Sequence, residues 1–161
     1  MDTVVYGRQL GYRENDVSTQ YWDETAAREA HINGSIYEIQ YGTVRKPIWY
    51  IMMLEELISV SHFDEYINAP LEYTFKKLKD GTLFRNETTI RECGQGLGNV
   101  RKGTLNLYDR RKRLCTIIYY DKRGFEASRK VVPFNLEDNI IPYPEFGHYE
   151  KLLDPNFKVY L

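Results

Sequence analysis

From residue 71 onward the sequence alternates, and a long period-two pattern broken by turn signals leaves an antiparallel sheet as the simplest solution. Leu71, Tyr73 and Phe75 alternate with polar neighbours. Successive side chains of a strand point to opposite faces, so such a segment buries one face and wets the other. Lys79-Asp80-Gly81 is a turn signal, and residues 82–91 return as the partner strand. Gly94, Gly96 and Gly98 make a flexible loop. Residues 104–108, 114–120 and 125–132 read as three further strands, with turns at 109–113 and 121–124. Tyr108-Asp109 is echoed by Tyr120-Asp121 at an offset of twelve residues. Two copies are too few for a repeat array, so the echo reads as consecutive hairpins with similar turns.

The N-terminal half is less uniform. Residues 4–6 form a candidate edge strand. Residues 18–30 read as a short helix capped by Ser18 or Thr19, with Asp23 and Glu24 near its positive end. Residues 35–42 alternate, with Tyr37, Ile39 and Tyr41 on the cleaner apolar face. Residues 48–54 suit either a buried strand or the start of a helix. Apolar residues at spacings of three and four favour a helix over residues 55–67, ended by Asn68-Ala69-Pro70. Prolines at 133, 142, 144 and 155 punctuate a tail with one short helical segment near residues 146–153. The expected fold is α+β, a single globular domain over residues 1–161. It combines an antiparallel meander of about five to seven strands with one or two helices packed on one face.

At 161 residues the chain is long enough to bury a core without metal or disulfides. Its longest apolar run, residues 48–54, is seven residues, whereas a membrane span needs about 20. No membrane association is expected. Two cysteines, Cys93 and Cys115, do not make a disulfide framework, and a cytoplasmic location follows as the default expectation.

Motifs for chemistry are sparse. His31, His62 and His148 show no metal-ligand spacing, so neither a metal nor any other cofactor is expected. The glycines at 94, 96 and 98 have the wrong spacing for a dinucleotide fingerprint and lack the lysine of a P-loop. The adjacent acids Asp23-Glu24, Glu55-Glu56, Asp64-Glu65 and Glu137-Asp138 cannot be set across a cleft from sequence alone.

Charge is distributed unevenly. Residues 1–72 carry five basic and twelve acidic side chains, net −7, and residues 101–130 carry ten and three, net +7, in a chain whose total is −1. The run Arg110, Arg111, Lys112 and Arg113, with Lys122, Arg123, Arg129 and Lys130, is a candidate phosphate-binding stripe for nucleic acid. The acidic part is also aromatic: the chain has 14 tyrosines, and Tyr12, Tyr21, Tyr37, Tyr41 and Trp22 fall within residues 1–72. Aromatic side chains make good interface anchors and carboxylates steer a basic partner. The candidate partner-binding set is therefore Tyr12, Asp16, Tyr21, Trp22, Asp23, Glu24, Glu29, Tyr37, Glu38 and Tyr41.

One acidic, aromatic-rich domain without a catalytic motif resembles, in whole-chain profile, the small bacterial immunity proteins that neutralise a cognate toxin. That resemblance implies a non-catalytic inhibitor that covers the active site of a toxin domain with a basic surface. The alternatives are a nucleic-acid or phosphate-binding module using residues 101–130, and a small enzyme whose site is assembled from distant residues.

Overall fold

The fold is seen in a computed structural model that describes residues 3–10, 19–43 and 45–161. Among the described residues the strands are β1 (Val4–Arg8), β2 (Gln20–Trp22), β3 (Tyr37–Thr43), β4 (Lys46–Met53), β5 (Leu57–His62), β6 (Leu71–Lys77), β7 (Thr82–Cys93), β8 (Val100–Asp109), β9 (Leu114–Tyr120), β10 (Glu126–Pro133) and β11 (Ile140–Pro142). One α-helix, α1 (Glu24–Ile32), lies between β2 and β3, and a 3-10 turn, Leu136–Asn139, precedes β11. All strand pairs are antiparallel, and they form one open sheet in the order β10-β9-β8-β7-β6-β5-β4-β3-β1-β2. The free edges are β2 and β10. From β3 to β10 each strand pairs with its neighbour in sequence, so order along the chain becomes order across the sheet.

This corrects the α+β expectation: the chain is an open, mostly antiparallel β-sheet with one nine-residue helix. The expected helix over residues 55–67 is the strand β5 followed by a loop. Ile58 and Val60 are fully buried while Ser59 and Ser61 face the other side, so a period of two outweighs the looser spacings of three and four. Asp64 then organises the loop, accepting from the backbone N–H of Tyr66 and of Asn68, each at 2.9 Å. Residues 48–54 fall almost entirely within β4. The segment near residues 146–153 forms turns, not a helix.

The two faces of the sheet differ. Cross-strand partners put Tyr6, Ile39, Ile51, Val60 and Tyr73 in one row. Ala27 and Ala30 of α1 pack there, together with Tyr149 and Leu152 from the segment after β11. That segment acts as a strap. It runs over this face to α1, where Phe146 stacks on Tyr6 at 5.4 Å, and returns so that Phe157 meets Tyr73 at 5.1 Å. β11 pairs with residues 82–84 of β7, and β8 pairs with residues 87–93. β7 is thus forked at Arg85 and Asn86, and Asn139 Nδ2 donates to the Arg85 carbonyl there at 2.9 Å.

Candidate protein-docking surface

The opposite face of the sheet is partly exposed: Tyr50, Met52, Ser59, Thr74, Glu87, Thr89, Leu105, Leu107 and Thr116 are partly accessible, while Glu38, Gln40, Ser61 and Ile118 on the same face are buried. Among the described residues it carries neither a helix nor a strap. At its centre Ser61 Oγ donates to Glu72 Oε1 at 3.1 Å, and Arg91 Nη1 donates to Glu72 Oε2 and to the Ala69 carbonyl. Beside this network a groove of about 490 Å³ runs along Thr89, Arg91, Leu105 and Tyr120 to the β9–β10 turn. Apolar, aromatic and polar side chains mix on this face, and the Glu72–Arg91 ion pair lies at its centre and not at its rim.

The exposed part of the partner-binding set lies at the N-terminal end of the sheet, with Tyr21 on the open face and the acids on or beside α1, the helix that packs on the covered face. Tyr21 pairs with Gly7 on the open face and is 59% exposed, whereas Trp22 pairs with Tyr6 and packs against the core. Asp23 caps α1: its side chain accepts from Ala26 N–H at 2.8 Å. Glu24 pairs with Arg28 at 2.6 Å, and Glu29 is exposed on the helix. Tyr12 and Asp16 lie outside the described residues.

The remaining members are inside. Tyr37 is 1% exposed, with its Oη 2.7 Å from His31 Nδ1 and 2.9 Å from Tyr149 Oη. Burial, reinforced by Tyr149, pushes its phenol far above the ordinary tyrosine value. Tyr41 packs against the same core, and burial pushes it up to about 12. Glu38 is 7% exposed and its Oε2 accepts from Leu10 N–H at 2.6 Å. Burial and a hydrogen bond to Glu38 likewise raise the phenol of Tyr50. Of the set, Tyr21, Asp23, Glu24 and Glu29 are exposed, Tyr21 on the open face and the acids on or beside α1, while Trp22, Tyr37, Glu38 and Tyr41 are taken up by packing.

The basic residues divide between two turns and β10, where Arg129 and Lys130 are exposed opposite the middle of β9. Arg110, Arg111, Lys112 and Arg113 make the β8–β9 turn; Lys122 and Arg123 belong to the β9–β10 turn. The two turns lie at opposite ends of β9, a strand of seven residues and therefore about 20 Å long. An aspartate opens each turn. Asp109 Oδ1 accepts from Arg111 and Lys112 N–H at 3.0 Å each, and Asp121 Oδ1 from Arg123 and Phe125 N–H at 2.8 and 3.1 Å. These bonds hold both carboxyls below the usual range and explain the Tyr-Asp echo.

Set against family models, curated proteins and solved structures, the chain matches none of them. No helix of the described residues is long and apolar enough to cross a membrane. Among the described residues no group of three or more His, Cys, Asp or Glu is placed to hold a metal ion. Cys93 ends β7 beside the glycine loop, and burial raises its thiol, opposite to what a nucleophile needs. The glycine loop is stitched to its neighbour, with Asn68 accepting from Gly98 N–H at 2.7 Å and donating to the Gly96 carbonyl at 3.1 Å.

Arg85 and Asn106, both fully buried, and the Glu72–Arg91 pair are not among the candidate residues that the sequence points to. One signal was present. In the expected strand over residues 82–91, Arg85 follows Leu83 at the inward phase, where a guanidinium is out of place unless something binds it.

Proposed function

We propose that the chain is a stoichiometric protein-binding inhibitor of the immunity type. It docks onto a toxin domain with a basic surface through the open face of the sheet and the β2–α1 corner. The observation that supports this reading is the open face, which among the described residues carries neither helix nor strap and ends at the exposed Tyr21, with Asp23, Glu24 and Glu29 exposed on the adjoining α1 segment. Tyr21 supplies the desolvated anchor, and Asp23, Glu24 and Glu29 supply the field that speeds encounter. The unbridged thiols of Cys93 and Cys115 suit a cytoplasmic location.

Asp23 is unsuited to the test, because losing an N-cap costs about 1 kcal/mol of stability. Tyr21→Lys with Glu29→Lys touches no described hydrogen bond. A tagged full-length chain should recover a partner from its native cell, and that partner alone should arrest growth. The double variant should melt normally, associate several-fold more slowly at low salt, and fail to protect. Unchanged association would move the interface elsewhere; a harmless partner would end the inhibitor reading.

A further inference from the structure

The covered face is apolar beneath α1 but polar where the strap returns to β7 and β8. Arg85, Thr88 and Asn106 have no exposed surface, and Asn139 has 2%. Thr88 is opposite both Tyr73 and Asn106, and Arg85 is opposite Phe75, so all three point to the covered side. Polar groups buried there are costly unless each finds a partner. Several of the partners are main-chain atoms of residues 158 and 160. Asn106 Nδ2 donates to the Tyr160 carbonyl at 2.9 Å while its Oδ1 accepts from Tyr160 N–H at 2.8 Å. Arg85 Nη2 donates to the Lys158 carbonyl at 2.6 Å, and Tyr108 Oη donates to the same oxygen at 3.4 Å. None of these contacts depends on which side chains occupy residues 158 and 160.

Two aromatic rings complete the fit. Phe157 lies 5.1 Å from Tyr73 and 4.6 Å from the Arg85 guanidinium, and Tyr160 lies 6.4 Å from Tyr108. The side chains of Lys158 and Leu161 are exposed. Yet the resident segment does not saturate Arg85: its buried Nε has no hydrogen-bond partner among the described residues. An unfilled buried donor is an expensive thing to keep for a purely structural clasp.

We propose that this trough is a peptide-recognition groove, filled in cis by residues 157–160, which takes an extended partner segment carrying aromatic side chains three positions apart. It lies on the other face of the sheet from the docking surface and does not rest on that reading. Main-chain hydrogen bonds provide affinity and the two ring contacts provide selection, as in other modes of extended-peptide capture. The tethered segment competes at the high effective concentration of a short linker, so a partner gains access chiefly when the tether is cut or outcompeted.

The test inserts a protease site between the exposed Pro155 and Asn156 of the full chain. A labelled, acetylated peptide of residues 156–161 is then titrated into the cut and uncut proteins. The cut protein should bind it saturably, and the uncut protein at least about tenfold more weakly. N-methylation at the Tyr160 amide should cost about tenfold or more, since it removes one arm of the Asn106 clamp. Peptides carrying Lys158→Ala or Val159→Ala should bind as the parent does, and acetyl-Gly-Phe-Ala-Ala-Tyr-Gly-amide should compete. Three results would each overturn the proposal: a cut, folded protein that takes no peptide, indifference to N-methylation, or failure of the unrelated peptide to compete. The uncut chain gives a reading independent of cleavage. Excess peptide should raise hydrogen exchange selectively at residues 158–160, and no change there would also overturn the groove.

Discussion

His31 sits where the helix, β3 and the strap meet. Its ring contacts Tyr37, Tyr143 and Phe146, the Pro144 carbonyl hydrogen-bonds it, and Arg28 and Lys77 lie near enough to repel a proton. Burial, with those two cations, lowers its pKa; burial also lowers that of His62, against the pull of Asp64. The folded chain then binds fewer protons than the unfolded chain once pH drops below about 6.5. Stability from these histidines is whole above that pH and is lost as pH falls toward the lowered folded values. The melting temperature should drop between pH 7 and 5, and His31→Gln should flatten that drop; a profile identical to wild type would dissociate His31 from it. At this scale the sequence was partly legible. Alternation correctly put Tyr37, Ile39 and Tyr41 on one apolar face of β3. The burial of Glu38 and Gln40 on the other face was not visible, because it depends on Leu10 and Tyr50 from elsewhere in the chain.

Among the elements, β2 is the most delicately placed. It has three residues, pairs only with β1 among the described residues, and carries Tyr21. Gly7 allows the approach: a Cβ there would lie 2.0 Å from the Gln20 carbonyl oxygen and 2.7 Å from Leu10 Cδ2. Gly7→Ala should therefore unseat β2 while leaving the core near Ile51 and Val60 intact. Hydrogen exchange should quicken at residues 20–22, and partner association should slow without a matching loss in β4–β6. Uniform destabilisation would show that β2 is not separable. Elements also account for the largest misreading. Residues 55–67 offered both periods, and Leu57, Ile58, Phe63 and Tyr66 satisfied the helical one. What decides for β5 is the presence of β4 and β6 on either side, which supply the ladder and the buried row.

Across the whole molecule, the charge imbalance of the sequence survives folding. In many folds distant segments intermix and such asymmetry averages out; here strand order follows chain order, so it persists. Among the described residues, most acids of the first 72 lie on α1 and on the β4–β5 and β5–β6 connections, with Glu38 on β3 and Glu72 on β6, while the bases of residues 101–130 gather around β8–β10. A protein of net charge −1 should then be retained at low salt by both cation and anion exchangers near pH 7. Reversing Arg110, Arg111 and Lys112 to glutamate should abolish retention on the cation exchanger alone; retention by neither exchanger in the wild type would count against the segregation. The meander was readable because turn chemistry is local. The strap was not, because it joins residues such as Tyr37 and Tyr149, 112 positions apart. The same topology bears on how the molecule comes into being. Folding speed falls as contacting residues become more distant in sequence, and short loops close at little entropic cost. From β3 to β10 each hairpin can zip onto the one before it, an inexpensive route for an all-β chain. The long closures are β1 against β3 and the strap, so a growing sheet holds one greasy side to water until residues 143–157 exist to cover it. For a ribosome-bound chain that interval is the hazardous one, and a chaperone would find its substrate on the face that the finished protein hides.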